Sequence, residues 1–408
     1  MLIQLFPKTH RSYTTSSASD WLENFAEWLM LSGYAPRPAQ GHVCRLRQVL
    51  ERTGPFAPKT RFSTEFLTEI FTAPRSQTDF RATQRAFQRF LEERGQLSAA
   101  ADPHPRFSAI LNAYRQHLSD VKGLVSSTVN QHLSTVLSFL ERALPSGKSL
   151  DDLTSQAVEQ FVIEEGQHLT RQSLQHTIAR LRSFLRFCHD RGEMKDRLDF
   201  IDTPRVYREE LLPRAIPWPL VQRLLRSIDR NGKSGWRDYA ILYLMVHYGL
   251  RPSEVAALRL DSIDWTSGTL RVVQQKTRMT LILPLNEKTL RMLRRYLAGG
   301  RPGSSRPELF LRARTPEGPI KHTAVCDIYE KRARESGLPL QNTSSYCLRH
   351  TFAMRLLEQG VGVKAIGDLL GHRSLESTCV YLRLHVKALR EVGLPVPGAA
   401  GERQRRVR

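Results

Sequence analysis

The chain has 408 residues, of which 61 are Lys or Arg and 40 are Asp or Glu, so its formal net charge is +21. Hydrophobic residues make up 40% of it, beside 24 Gly and 22 Pro, a composition that excludes disordered and fibrous proteins. The longest apolar run, Ile241–Val246, is far shorter than the roughly 18–20 residues of a membrane span. The length favours two to four domains, and the charge favours nucleic acid as the partner, with a solvated basic face as the alternative.

The N-terminal segment and the cysteines indicate in which cellular compartment the protein is found. MLIQLFPKTHRSY is interrupted by Pro7 and has no small-residue cleavage site, so we predict no signal peptide. The five cysteines are an odd number without paired spacing, which argues against a disulfide framework or a zinc site. A reducing, cytoplasmic location and no membrane association follow as expectations.

Two stretches of the first half resemble each other. Residues 31–52 align with 120–142 at an offset of 90, and residues 86–97 align with 183–194 at an offset of 97. Apolar residues recur in both at helical spacing. We therefore predict an N-terminal helical domain over 1–100 and a second helical domain over 105–195, of which the first is a duplicate. The alternative is that two helical segments share residues by chance.

The second half predicts a larger domain after a proline-containing linker at 196–218. Helices are expected at Leu220–Ile228 and Arg237–Tyr248, and a β-hairpin at Thr269–Gln275 and Thr280–Leu285. Asn286 is a plausible N-cap for a helix over Glu287–Leu297. Further helices are expected at 323–336, 345–358, 363–370 and 375–385, and residues 393–408 are expected to be a basic disordered tail.

Four segments of this half carry a specific pattern: GLRPSEVAALRLDSIDW (249–265), CLRHTFAMRLLEQG (347–360), LLGHRS (369–374) and STCVYLR (377–383). Together they closely resemble the tyrosine recombinases, also called phage-type integrases. The spacings of 23 residues from Arg349 to His372 and of 9 from His372 to Tyr381 match the family's ordered signature. The resemblance implies a catalytic domain over 205–392 and a SAM-like core-binding domain over 105–195. The implied fold is mainly α with a small β-hairpin or sheet.

The residue types also point to phosphodiester chemistry. Arg251 and Arg349 can each grip phosphate oxygens bidentately. Arg251 lies at a predicted helix N-terminus, which adds positive potential, and Glu254 one turn along can orient its guanidinium. Tyr381 is the proposed nucleophile, because its attack on phosphorus gives a phosphotyrosine ester that conserves bond energy without ATP. Neighbouring cations favour its phenolate form.

The resemblance assigns the remaining catalytic roles. It makes Lys276, in the hairpin turn, the general acid for the leaving 5′ oxygen, with Arg278 as the competing assignment. His372 can hydrogen-bond the phosphate or the nucleophile, although a His after a Gly at a helix end is often only a cap. No metal site is apparent and no cofactor is expected, which disfavours metal-dependent nuclease chemistry.

One position departs from the family. The residue three before the second Arg is usually His, sometimes Lys, and here it is Tyr346. A phenol can donate a hydrogen bond to phosphate but is a poor base at pH 7, so we expect base help from elsewhere with some loss of rate. His350 is interpreted as structural, because neighbours on a helix point in different directions.

Double-stranded DNA is the expected partner. Arg180, Arg182 and Arg186 of the second helical domain, with Arg278, are candidate DNA-binding residues. The family implies a homotetramer in synapsis, a monomer or dimer off DNA, and accessory or sibling recombinases. The predicted function is site-specific DNA recombination, as in integration or transposition of a mobile element. The alternatives are a type IB topoisomerase-like relaxing enzyme and a catalytically weakened DNA-binding protein.

Overall fold

The computed structural model describes residues 1–72, 77–98, 104–206, 214–274, 279–372 and 374–382. The α-helices are α1 (Leu2–Leu5), α2 (His10–Thr14), α3 (Ser19–Leu31), α4 (Pro36–Thr53), α5 (Thr64–Thr72), α6 (Gln77–Glu93), α7 (Ser108–Gln116), α8 (Ser126–Ala143), α9 (Ser155–His168), α10 (Arg171–Asp190), α11 (Trp218–Ser227), α12 (Gly235–Tyr248), α13 (Pro252–Ala256), α14 (Glu287–Arg295), α15 (His322–Glu335), α16 (Ser345–Glu358), α17 (Val363–Leu370) and α18 (Glu376–Cys379). The strands are β1 (Ile263–Asp264), β2 (Thr269–Val273) and β3 (Thr280–Pro284). The predicted fold class, mainly α with a small sheet, is confirmed.

The chain divides into two compact units, one of Met1–Cys44 with Leu211–Arg408 and one of Arg45–Glu210. The first division falls inside α4. The domain limits predicted from the sequence, and the duplication of the helical domain, stay predictions.

The unit of Arg45–Glu210 contains a helical core between α7, α8, α9 and α10. Tyr114, Phe139 and Phe184 are fully buried in it, because apolar residues recur at helical spacing on the facing sides of these helices. Thr154 and Thr170 begin α9 and α10 as N-caps, each accepting a backbone N–H with its hydroxyl.

The predicted linker at 196–218 is partly packed. Asp199 and Ile201 are buried in the Arg45–Glu210 unit, although the described residues 196–206 form no helix. Asp199 accepts from the guanidiniums of Arg186 and Arg197, which explains how a carboxylate can be buried there. Over residues 196–206, the lack of a periodic apolar pattern therefore predicted the absence of a helix correctly, but not the burial.

The C-terminal part of the other unit is built around α12. Residues Ala240–Val246 are buried on every side of this helix, since α11, α14, α15 and α16 all pack against it. Gly249 ends α12 in the left-handed conformation, with φ 64°. Pro252 then opens α13 at its first turn, where its missing N–H costs nothing. These two residues set the turn that carries Arg251.

The sheet is antiparallel with strand order β1-β2-β3. Leu270 pairs with Leu283 and Val272 with Leu281, so β2 and β3 form the predicted hairpin. Strand β1 was not predicted, because two residues are too few to display an alternating pattern. Asn286 caps α14 as predicted, since its side chain accepts from the backbone N–H of Thr289 at 2.9 Å.

The chain ends differ from the expectations. Helices α1 and α2 were not predicted, and α18 ends at Cys379 rather than at 385. The predicted tail at 393–408, and residues 383–385 of the predicted last helix, lie outside the described residues. Within the ranges that the structure covers, no helix combines the length and apolarity that crossing a bilayer requires.

Candidate active site

Four elements of one unit bring the predicted catalytic residues together. Arg251 lies at the N-terminus of α13 and Arg349 on the first turns of α16. His372 follows the end of α17, and Tyr381 follows α18. Both guanidiniums act electrostatically on the His372 imidazole and on the Tyr381 phenol. The four described residues of the predicted catalytic set therefore lie near one another, although they span positions 251 to 381 of the chain.

Glu254 joins the two arginines. Its carboxylate is 2% exposed and accepts from Arg251 Nη1 at 2.5 Å and from the Arg251 backbone N–H at 2.8 Å. Its other oxygen also lies 3.8 Å from Arg349 Nη1. The carboxylate therefore orients Arg251, as predicted from the i, i+3 spacing, and also neutralises part of the charge on Arg349, which was not predicted.

Arg349 is held by the main chain. It donates from Nη1 to the carbonyl of Gly249 and from Nη2 to the carbonyl of Leu370, both at 2.6 Å. Burial and the neighbouring Arg251 lower the pKa of Arg349 to about 10, which leaves the guanidinium charged at neutral pH. Two fixed carbonyls thus set the plane of this cation before any phosphate arrives.

His372 is a neutral side chain at neutral pH. Burial, followed by the charges of Arg349 and Arg251, lowers its pKa to about 4. Its Nδ1 lies 2.8 Å from the hydroxyl of Thr378, so its other ring nitrogen is left for a ligand or a water molecule. Gly371 before it has φ 62° and caps α17, and the hydrogen bond of His372 to the phosphate or the nucleophile stays a prediction.

The phenol of Tyr381 is buried, with 3% of the residue exposed. Burial raises its pKa, and the charges of Arg349 and Arg251 partly oppose that effect. Its hydroxyl lies 3.0 Å from Nδ1 of His350. The interpretation of His350 as structural stays a prediction, and the structure adds to it a contact with the proposed nucleophile that was not predicted. Adjacent residues on a helix do diverge, but here the arginine and the histidine reach different parts of the same site.

Tyr346, at the position where the family usually has His, is 50% exposed on the first turn of α16. Its suggested contact with phosphate stays a prediction. Lys276 and Arg278 lie outside the described residues, between Gln274 and Met279. Their roles as general acid, competing acid or DNA contact therefore also stay predictions.

Gln274 is a site residue that sequence reasoning missed. It is fully buried directly after β2, and its amide donates to the carbonyl of Leu370 at 3.0 Å. This is the same carbonyl that accepts from Arg349. The available signal was the alternation of β2: Leu270 and Val272 point inward, and the next inward position holds an amide instead of an apolar residue.

The arginines predicted to bind DNA on α10 have partners inside their own unit. Arg180 donates to the side chain of Gln131 at 2.7 Å, and Arg182 donates to the carbonyl of Ile201. Arg186 donates to Asp199 at 2.9 Å, yet its side chain is 57% exposed. Their DNA contacts stay predictions.

The described residues hold no group of three or more His, Cys, Asp or Glu side chains placed to bind a metal ion. All five cysteines are free thiols.

Two family models match the chain. The one described as the phage integrase family matches residues 220–387, and the one described as the phage integrase N-terminal SAM-like domain matches residues 111–192. The integrase/recombinase y4rA of Sinorhizobium fredii is 31% identical over 395 residues, which are 92% of this chain and 94% of that protein. Tyrosine recombinase XerC of Pelobacter propionicus is 28% identical over 286 residues, which are 69% of this chain and 93% of the relative.

Solved structures share the fold at low identity. The XerH site-specific recombinase, bound to a palindromic difH substrate in a post-cleavage complex, gives a TM-score of 0.56 at 16% identity over 80% of this chain and 92% of its own. A lambda integrase dimer bound to a COC′ core site gives 0.52 at 19% identity over 67% of this chain and 94% of its own. These likenesses establish the mainly helical architecture.

Proposed function

This chain belongs to the phage integrase family of tyrosine recombinases, and we propose from that membership that it cleaves and rejoins DNA strands through a 3′-phosphotyrosine intermediate and a Holliday junction. The observation that carries the proposal is that Arg251 and Arg349 lie close both to the phenol of Tyr381 and to the imidazole of His372. Two cations and a neutral imidazole beside a hydroxyl nucleophile suit attack on a phosphodiester.

The cleavage step uses each group at a stated atom. The Tyr381 oxygen attacks the scissile phosphorus, the bond from phosphorus to the 5′ oxygen breaks, and a 3′-phosphotyrosine ester forms. Arg251 and Arg349 bind the non-bridging oxygens, whose charge increases in the transition state. Lys276, or in the competing assignment Arg278, protonates the leaving 5′ oxygen.

Rejoining reverses these bonds with a 5′ hydroxyl from the partner strand as the nucleophile. Each transesterification replaces one phosphate ester by another, so two sequential exchanges pass through a Holliday junction with no net loss of ester bonds. The reaction therefore requires neither ATP nor a metal ion in this proposal.

Double-stranded DNA is the substrate that we propose, and a homotetramer is the synaptic assembly. The net charge of +21 supports binding to a polyanion. The lambda integrase and XerH structures, solved with DNA, support the same partner. Accessory or sibling recombinases remain part of the proposal, and the free thiols favour the cytoplasm.

A nicked suicide duplex tests the proposal. The wild type should form a covalent protein–DNA adduct, and Tyr381→Phe should form none, since a phenyl ring has no nucleophilic oxygen. Tyr239→Phe is the matched control: it removes a hydroxyl from a tyrosine of the same unit, in an aromatic stack, and should leave the adduct unchanged.

The products separate the alternatives. Joining between two duplexes supports a recombinase, whereas relaxation of supercoiled DNA without joining indicates a topoisomerase-like enzyme. DNA binding with no adduct from the wild type would leave only a DNA-binding protein and would overturn the proposal.

A further inference from the structure

His350 and Tyr381 form a hydrogen-bonded pair inside the unit that carries the active site. The Nδ1 atom of the imidazole lies 3.0 Å from the phenol oxygen, and the ring centroids are 5.7 Å apart. The phenol is buried, so its hydroxyl has little access to bulk water. A proton that leaves this hydroxyl therefore has the imidazole as its nearest acceptor among the described contacts.

Position 350 also lies on the face of α16 where the family usually has a histidine. Residues four apart on an α-helix share a face, so His350 is on the face of Tyr346, one turn further into the helix. Tyr346, at the position where the family usually has a histidine, is half-exposed and is a poor base at neutral pH. Position 346 therefore lacks the usual imidazole, and His350 supplies one on the next turn of the helix.

We propose that His350 accepts the proton of the Tyr381 hydroxyl during strand cleavage. This inference rests on the proposed function, because it names a further catalytic residue for that reaction. The O–H bond of Tyr381 breaks as the oxygen–phosphorus bond forms, and the proton moves to Nδ1 of His350. The bond from phosphorus to the 5′ oxygen breaks, and the leaving oxygen takes a proton from the general acid. The proton on His350 returns to Tyr381 when a strand is rejoined.

The charge state of the pair suits this role. Burial and the adjacent Arg349 lower the pKa of His350, so the imidazole is neutral at pH 7 and its Nδ1 has a free electron pair when Nε2 carries the hydrogen. The other groups that act on the pair are Arg251, whose charge favours the phenolate, and His372, which is itself neutral. No carboxylate other than Glu254 acts on these groups among the described contacts, and Glu254 is occupied by the two arginines.

The test measures single-turnover cleavage of the suicide duplex by the full chain from about pH 5 to about pH 9. His350→Asn places an amide oxygen near the position of Nδ1, so it keeps a hydrogen-bond acceptor but cannot hold a proton. His322→Asn, on an exposed residue at the start of α15, is the matched control.

The wild-type rate should be level wherever the imidazole is neutral and should fall only on the acid side, because the lowered pKa of His350 keeps the base deprotonated above that range. His350→Asn should be slower at pH 7 by about 10²–10⁴-fold, and its rate should rise about tenfold per pH unit without a plateau, since hydroxide then removes the proton. His322→Asn should reproduce the wild-type profile.

A merely structural histidine predicts a different result: His350→Asn would lower the rate at every pH and keep the plateau. That outcome, or an unchanged rate, overturns the inference while leaving the recombinase proposal intact. If the wild type forms no adduct, the proposed function itself fails. If circular dichroism shows that His350→Asn does not fold, the pH–rate profile of the wild type tests the inference alone. A wild-type rate that rises about tenfold per pH unit with no plateau excludes a neutral imidazole base.

Discussion

Glu254 shows how two like charges are kept close together before a substrate arrives. Arg251 and Arg349 both approach its buried carboxylate, which offsets their repulsion and the cost of burying them. The carboxylate is engaged by both arginines, so we expect its effect on catalysis to be exerted through them. It is a positioning residue, and removing its charge should affect the free protein first.

Glu254→Gln should lower the free energy of unfolding by about 1.5–3 kcal/mol, the usual worth of hydrogen bonds to charged groups. The amide keeps the shape of the side chain but leaves two neighbouring guanidiniums without a counter-charge. Thermal unfolding of the full chain, with and without sulfate, measures the effect, and sulfate should restore part of the loss.

Glu335→Gln is the control for this comparison. Its carboxylate pairs with Arg332 at 2.8 Å but is 49% exposed, so its loss should cost only about 0–1 kcal/mol. Equal losses in the two variants would mean that Glu254 does not serve as the counter-charge of the arginine pair.

Among the elements, α16 carries Arg349 and His350 and is hydrogen-bonded to the segment before α11. The buried hydroxyl of Thr351 accepts from the Ile216 backbone N–H at 2.8 Å and donates to the Ile216 carbonyl at 3.0 Å. It also lies 3.0 Å from the carbonyl of Cys347. One side chain therefore satisfies both backbone groups of a residue 135 positions away.

Thr351→Val should destabilise the chain by about 1–3 kcal/mol, because the Ile216 N–H and carbonyl would be buried without partners. Thr351→Ser keeps the hydroxyl and loses only a methyl group, so it should cost about 0.8 kcal/mol. Melting temperatures of the two variants measure the difference. A larger loss for serine than for valine would show that methyl packing, not hydrogen bonding, fixes this contact.

The elements that were predicted correctly have local signals. Gly249, Pro252 and Asn286 determine where helices end and begin, and their effects depend on backbone conformation within one turn. Strand β1 is too short to show an alternating pattern, and the burial of Asp199 depends on its pairing with Arg186 and Arg197, which no apolar periodicity indicates.

In the candidate site, too, some residues could be predicted from the sequence and others could not. The spacing of Arg251, Arg349, His372 and Tyr381 was available from the motifs, and the structure gathers these four. The His350 contact could not be predicted, because it depends on where the segment after α18 passes α16. The inward amide of Gln274 was readable in principle from the alternation of β2, but its carbonyl partner was not.

For the whole molecule, the net charge of +21 determines how binding to DNA should respond to salt. Each phosphate contact releases condensed counterions, so the logarithm of the binding constant falls linearly with the logarithm of the salt concentration. With about 6–10 such contacts, affinity for a duplex should fall about 10³–10⁵-fold between 50 and 200 mM salt. Fluorescence anisotropy across a KCl series measures this slope.

Two variants test whether α10 contributes to the salt dependence of DNA binding. Arg186→Gln should reduce it by about one if this half-exposed guanidinium binds a phosphate in addition to Asp199. Arg197→Gln removes the other partner of Asp199 and should leave the slope unchanged. Equal slopes for Arg186→Gln and the wild type would mean that Arg186 serves only to neutralise Asp199.

Gly371 lies against the side-chain amide of Gln274, and any Cβ atom at this position would collide with it. The left-handed backbone, φ 62°, adds a second penalty for every other residue. An alanine there would displace the Gln274 amide, which donates to the same Leu370 carbonyl that accepts from Arg349. Random mutagenesis scored for solubility and random mutagenesis scored for strand cleavage should therefore differ most at this glycine, because the extra methyl group disturbs the surroundings of Arg349 more than it disturbs the packing of the domain.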